Sequence, residues 1–214
     1  MESFKNADGK IIILDLITVL HANAAFLSEV DGAIGDGDHG INMDKGFSKT
    51  REILGDRTLS MSESMSELSS ELMEGIGGSM GPLYGTFFME MADASQKCAD
   101  IDKVLFGKML TGAQAGIQDI GSAKRGDKTL LDTLIPAGEA FHAALDAGKS
   151  FREALEAMRA AAEAGKESTR AMVAKVGRAS RLGERSRGVL DAGATSCFFI
   201  LASMTESITR LLAE

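Results

Sequence analysis

Much is scarce in this chain. Its 214 residues hold no Trp, one Tyr, two Pro and two Cys. Two cysteines, Cys98 and Cys197, cannot build a disulfide framework or a four-thiolate zinc site, and they fit a reducing, cytoplasmic location. With only two prolines there is little to break a helix. No apolar run reaches the roughly 18 residues that a spanning helix needs. The longest candidate, Ile11 to Leu20, is interrupted by Asp15 and Thr18, so no membrane span and no secretory leader are expected. Basic residues are outnumbered 23 to 31, giving a net charge of −8. A field of that sign repels a phosphate backbone and argues against nucleic acid as a partner.

What is present is helical periodicity. Ile13, Ile17, Leu20, Ala24 and Leu27 are spaced 4, 3, 4 and 3 apart, the stripe of an amphipathic helix rather than the alternation of a strand. The rhythm returns at Met61, Met65, Leu68 and Leu72, at Phe106, Leu110, Ala113, Ile117 and Ile120, and at Cys197, Leu201, Met204, Ile208 and Leu211. Weaker patterns cover 42–54, 82–97, 133–147 and 150–176, the last opened by Ser150 and Glu153 as a capping box. The expectation is an all-α protein of about eight helices with no convincing strand, forming one domain over residues 1–214.

The connections fall into two kinds. Those at 55–58, 97–101 and 147–149 are short and polar, as turns between antiparallel helices should be. The other four, DGAIGDGDHG (31–40), GIGGSMGP (75–82), GSAKRGDKT (121–129) and GRASRLGERSRGVLDAG (177–193), are chemically dense and follow the first, third, fifth and seventh helices. In an up-and-down bundle every odd-to-even connection lies at the same end. All four dense loops should therefore converge on one site.

The first of them places Asp31, Asp36 and Asp38 within eight residues of a glycine-laced loop. Two carboxylates about 4 Å apart at an effective dielectric of about 20 repel by about 4 kcal/mol, a cost that a divalent cation removes. One such Asp would be read as a helix cap or an Asx-turn; three at this spacing favour a metal. Oxygen donors suit Mg²⁺, Ca²⁺ or Mn²⁺, and the EF-hand pattern fails because Phe47 stands at its twelfth position. Mg²⁺ beside a phosphate fits better. Gly35, Gly37 and Gly40 satisfy the dinucleotide fingerprint, but they follow a helix and carry acidic neighbours, so that reading is rejected. Gly121 to Thr129 resembles a phosphate-binding P-loop, yet Asp127 separates Gly126 from Lys128 and no strand precedes it. That resemblance is set aside as well.

Gly77 to Gly81 lie before a helix entered through Pro82, where bare backbone amides can cradle phosphate; a tight interhelix turn would look the same. Arg178, Arg181, Arg185 and Arg187 could hold phosphate or form a solvated basic stretch. His39, between Asp38 and Gly40, would lie beside the metal, while His21 and His142 fall inside helical patterns.

Taken together, IGDGDHGINMDKGF (34–47), GGSMGPLYGTFF (77–88), GDKTLLD (126–132) and GRASRLGERSRG with DAGATS (177–196) closely resemble the nucleotide-binding L subunit of bacterial dihydroxyacetone kinase, in order and over nearly the whole chain. The resemblance implies a barrel of eight antiparallel helices with the nucleotide, ADP or ATP, at one end. It implies that Asp31, Asp36 and Asp38 hold two Mg²⁺ ions and serve the phosphoryl transfer. It places His39, Gly40, Ile41 and Asn42, then Gly78, Ser79 and Met80, and finally Gly121, Leu130, Arg178, Asp191 and Gly193 around the nucleotide. Met80 stands where a small residue is common, and Ala192 replaces a frequent proline. The implied reaction passes a phosphoryl group to dihydroxyacetone, or a related short ketose, held on a separate K subunit, with a phosphocarrier protein as an alternative donor to exchanging ATP. A nucleotide-sensing subunit that binds ADP, Mg²⁺ and a regulatory partner without turnover is the competing reading.

Overall fold

The structure, a computed structural model, describes residues 2–213. Eight α-helices account for most of them: α1 (Lys10–Gly32), α2 (His39–Leu54), α3 (Met61–Gly75), α4 (Met80–Ser95), α5 (Lys103–Ile120), α6 (Leu131–Asp146), α7 (Phe151–Ser168) and α8 (Ala192–Leu211). Each helix packs on the next in sequence, and α8 packs back on α1, so the ring closes into an all-α barrel. The stripes read from the sequence face inward. Ile13, Ile17, Leu20, Met65, Leu68, Phe106, Leu201 and Met204 are buried in one continuous apolar core that draws on all eight helices. Burying a Leu, Ile, Phe or Met side chain is worth about 1.5–3 kcal/mol, so this core is what drives closure.

Four expectations are corrected. A short antiparallel ribbon pairs β1 (Ser3–Lys5) with β2 (Asp100–Asp102), Phe4 opposite Ile101. Three-residue strands carry too little pattern to be seen in a sequence. Helix α2 begins at His39 rather than near Asn42. Helix α7 stops at Ser168 rather than running to 176; a 3₁₀ turn over Thr169–Ala171 follows, and a longer 3₁₀ segment covers Arg178–Ser186. Finally, Asn6–Gly32 is long and apolar enough, by length and hydropathy alone, to cross a membrane, despite Asp15. Here α1 is a barrel stave, packed between α2 and α8 with Ile12, Ile13, Leu16, Ile17 and Leu20 fully covered.

Alternating helix direction brings the connections after α1, α3, α5 and α7 to one end. That is the end where the dense loops were expected to meet.

Candidate functional site

The four loops surround an open cavity of about 640 Å³. Asp31 comes from the last turn of α1, Asp36 from the loop, and Asp38 from the position just before α2. The loop turns sharply because the Asp31 carbonyl accepts the amides of both Ile34 and Gly35. A Cβ at residue 35 would sit 2.3 Å from the Asp31 carboxylate, so glycine is what leaves room for that carboxylate. One oxygen from each of the three aspartates lies within 4.8 Å of the other two. The Arg178 guanidinium pairs with Asp36 and reaches to 3.9 Å from Asp38, supplying positive charge where the carboxylates converge. Three hard oxygen donors opening onto a cavity suit Mg²⁺.

Across the cavity, Gly77 and Gly78 have no atom within 4 Å of where a Cβ would stand, and Gly78 has a φ of +73°, a left-handed conformation suited to glycine. The starts of α2, α4 and α6, at Asp38, Ser79 and Leu130, receive no side-chain cap. The first amide of α2 instead donates to the Asp31 carboxylate at 3.4 Å and that of α6 to the Thr129 hydroxyl at 3.2 Å, while at α4 no side chain takes the first amides, the arrangement that favours anions. Helix α8 differs, because the Asp191 carboxylate caps it at the Ala194 amide, 2.7 Å away. Burial pushes the Asp191 carboxyl up to about 7, against the pull of that amide and of the Lys128 ammonium. Burial also pushes the His39 imidazole down to about 4, with Asp31 opposing. His39 Nε2 meets Ser196 Oγ at 2.8 Å, and Ser196 Oγ meets the Tyr84 hydroxyl at 2.6 Å.

Thirteen of the fifteen residues singled out in the sequence line this cavity: Asp31, Asp36, Asp38, His39, Asn42, Gly78, Ser79, Met80, Gly121, Leu130, Arg178, Asp191 and Gly193. The other two lie elsewhere. Gly40 is buried against α1, where an added Cβ would come 1.8 Å from the Ala24 carbonyl oxygen, and Ile41 points outward, 65% exposed.

Comparison with known proteins places the chain in a family. The family described as DAK2 domain matches residues 33–206. The chain belongs to the DAK2 domain family. It is 37% identical over 186 residues, 86% of its own length and 88% of the other's, to the ADP-binding subunit DhaL of the PEP-dependent dihydroxyacetone kinase of Escherichia coli K12. It is 35% identical over 204 residues, 93% of each chain, to the corresponding subunit of the PEP-dependent dihydroxyacetone kinase 2 of Listeria innocua. Its fold matches the dihydroxyacetone kinase of C. freundii solved with AMP-PNP and Mg²⁺ at a TM-score of 0.71 and 23% identity, over 97% of this chain and 35% of that one.

Several cavity residues of this DAK2 domain escaped the sequence reading. Leu83, Ile117 and Leu131 form an apolar wall, and Tyr84 and Thr129 also face the space. The helical stripes that carry Ile117 also fill cores, so nothing in the pattern marked these residues as lining a site. Lys128 was passed over with the rejected P-loop. It lies on the cavity wall, buried, with a φ of +64°. Asp132 shapes its loop by accepting the amides of Gly126 and, at 2.8 Å, Thr129.

Proposed function

We propose that this chain is the nucleotide-binding subunit of a kinase for dihydroxyacetone or a related short ketose, moving a phosphoryl group from a Mg²⁺-bound nucleotide to a ketose held on a separate K subunit. The observation that carries the proposal is the convergence of Asp31, Asp36 and Asp38 on a cavity whose opposite rim is bare backbone at Gly77 and Gly78. The names of the relatives supply the reaction class and the role of an ADP-binding subunit.

In this reading the three carboxylates hold two Mg²⁺ ions. When bound, Mg²⁺ neutralises the phosphates and supports charge on the transferring group. Gly78, Ser79 and Met80 offer amides to the phosphate oxygens, and the wall of Leu83, Ile117, Leu130 and Leu131 receives the base. Arg178, released from Asp36, covers the phosphates. Buried His39 is uncharged at neutral pH and packs beside the aspartates without adding a cation. His39, Gly40, Ile41 and Asn42 form the start of α2 that follows the aspartates, with Gly40 setting the helix position; Gly121, Asp191 and Gly193 close the far side. The PEP-dependent relatives favour retained ADP, recharged by a phosphocarrier protein, over exchanging ATP.

The test is a coupled assay of the purified chain with its K-type partner and dihydroxyacetone, supplied either with ATP or with a PEP-driven phosphocarrier system. Wild type is expected to transfer phosphate and Asp36→Asn to lose it, with ADP retained by wild type through dialysis. ADP and Mg²⁺ binding without transfer from either donor would overturn the kinase reading and leave the nucleotide-sensing one.

A further inference from the structure

Lys128 combines two unfavourable features. Its backbone has a φ of +64° although it is neither Gly nor Asn, a left-handed conformation that is strained for an ordinary residue. Its side chain is almost wholly covered, and burial lowers the affinity of the ammonium for its proton, with Asp191 as the nearby opposing charge. Something specific must hold it there. The ammonium donates to the carbonyls of Met172 (3.3 Å), Val189 (2.7 Å) and Ser186. An ammonium has three hydrogens, and all three are committed.

Those carbonyls belong to the segment between α7 and α8, the one that presents Gly177 and Arg178 to the cavity. The segment ties itself together at its base, where the Gly188 amide donates to Arg170 and the Asp191 amide to Thr169, and Ser186 Oγ accepts the Ala174 amide. Its contact with the loop before α6 is made by Lys128 and by the neighbouring residue, Asp127, whose carbonyl accepts the Lys175 amide at 3.1 Å. An ordinary phosphate-binding lysine would have its ammonium pointing at the ligand with hydrogens to spare. This one spans a gap between two loops.

We infer that Lys128 is a positioning residue: its ammonium is a three-point clasp that fixes the 172–190 segment, and with it Arg178, over the cavity, and it does not bind the nucleotide phosphates. The inference concerns the loops themselves, and its effect on ADP rests on the function proposed above.

Two measurements test it. In wild type without nucleotide, lysine acetylation followed by mass spectrometry should modify exposed Lys45 and Lys108 and leave Lys128 untouched, with ADP changing nothing at Lys128. Labelling of Lys128 at the rate of Lys45, or labelling that ADP blocks, overturns the clasp. In Lys128→Met and Lys128→Gly, hydrogen exchange at the Ala174, Lys175 and Gly188 amides should accelerate about 10-fold or more while α1 to α5 keep their protection, and ADP should leave about 10-fold faster. Glycine relieves the backbone strain but loses the clasp, so wild-type exchange in Lys128→Gly refutes the inference. Adding Arg178→Ala to Lys128→Met should bring no further increase in ADP release, whereas additive effects would show that Lys128 does not act through that segment. The labelling and exchange results need no nucleotide, so a wild type that fails to bind ADP would sink the proposed function and leave the clasp standing.

Discussion

Most helix starts are treated differently at the two ends of the barrel, uncapped α1 and Asp191-capped α8 being the exceptions. At the end away from the cavity, α3, α5 and α7 are each capped by a side chain: Ser60 and Ser150 form full capping boxes with Glu63 and Glu153, and Asp102 accepts the Leu105 amide at 2.8 Å. At the cavity end, α2, α4 and α6 have no such cap, and carboxylates of like charge crowd together. A cap is worth about 1 kcal/mol. One end therefore carries local stability that the other, with its crowded carboxylates, forgoes.

The contrast can be broken most sharply at Asp36. Asp36→Asn should lower phosphoryl transfer about 100-fold or more, since cation support of a transferring phosphate is worth several kcal/mol, yet leave the urea midpoint of the apo protein close to wild type. A collapse of stability instead would mean that the aspartate is structural and that the two ends do not differ as described.

Acid and base responses should also separate the ends. In the nucleotide-free protein, an unfolded imidazole gains its proton near 6.5 and folded His39 only near 4, so its contribution to stability is lost as pH falls through that window. Asp191 runs the other way. Its folded carboxyl keeps a proton up to about 7 while the unfolded one releases it near 3.8, so stability is lost as pH rises between those values. The two oppose each other in wild type. His39→Gln should expose a decline in urea stability from pH 4 to 7 and Asp191→Asn a rise, each on the order of 1–3 kcal/mol. Parallel curves for both variants would refute these environments. At the capped end, Glu153 is held down at about 2 by the Ser150 amide and hydroxyl, so its response lies below pH 4.5.

A smaller effect completes the set. Ser60→Ala should cost about 1 kcal/mol in chemical unfolding and leave ADP affinity unchanged, because it removes a cap from the end away from the cavity. Ser79→Ala, which keeps the backbone amide offered to phosphate, should change both stability and ADP affinity little in calorimetry.

The barrel was legible because each stave repeats its apolar residues at helical spacing and because loop chemistry alternated with loop order. The 31–38 aspartates and the Gly77–Gly78 rim stood out for the same reason, as unusual residues in short connections. Other features were hidden by physics that a one-dimensional pattern does not carry. Met172 and Val173 extend the apolar rhythm of α7, but Thr169 turns its hydroxyl to the Asp191 amide and the helix ends. Ile41 sits in a motif with His39 and Asn42, and a helix sends consecutive residues to different faces, so it points away from them. The partners of Lys128 are 44 to 61 residues distant, and only the fold brings them together.

Gly40 shows what such closeness demands. Its α-carbon rests against the main chain of α1 at Ala24, with Ser28 alongside, so the first two staves touch without any upholstery between them. Even one methyl group would act as a wedge at the fulcrum of a lever whose short arm carries Asp36 and Asp38. A glycine here in working relatives would therefore record mechanical tolerance rather than chemistry, for this residue does not line the cavity.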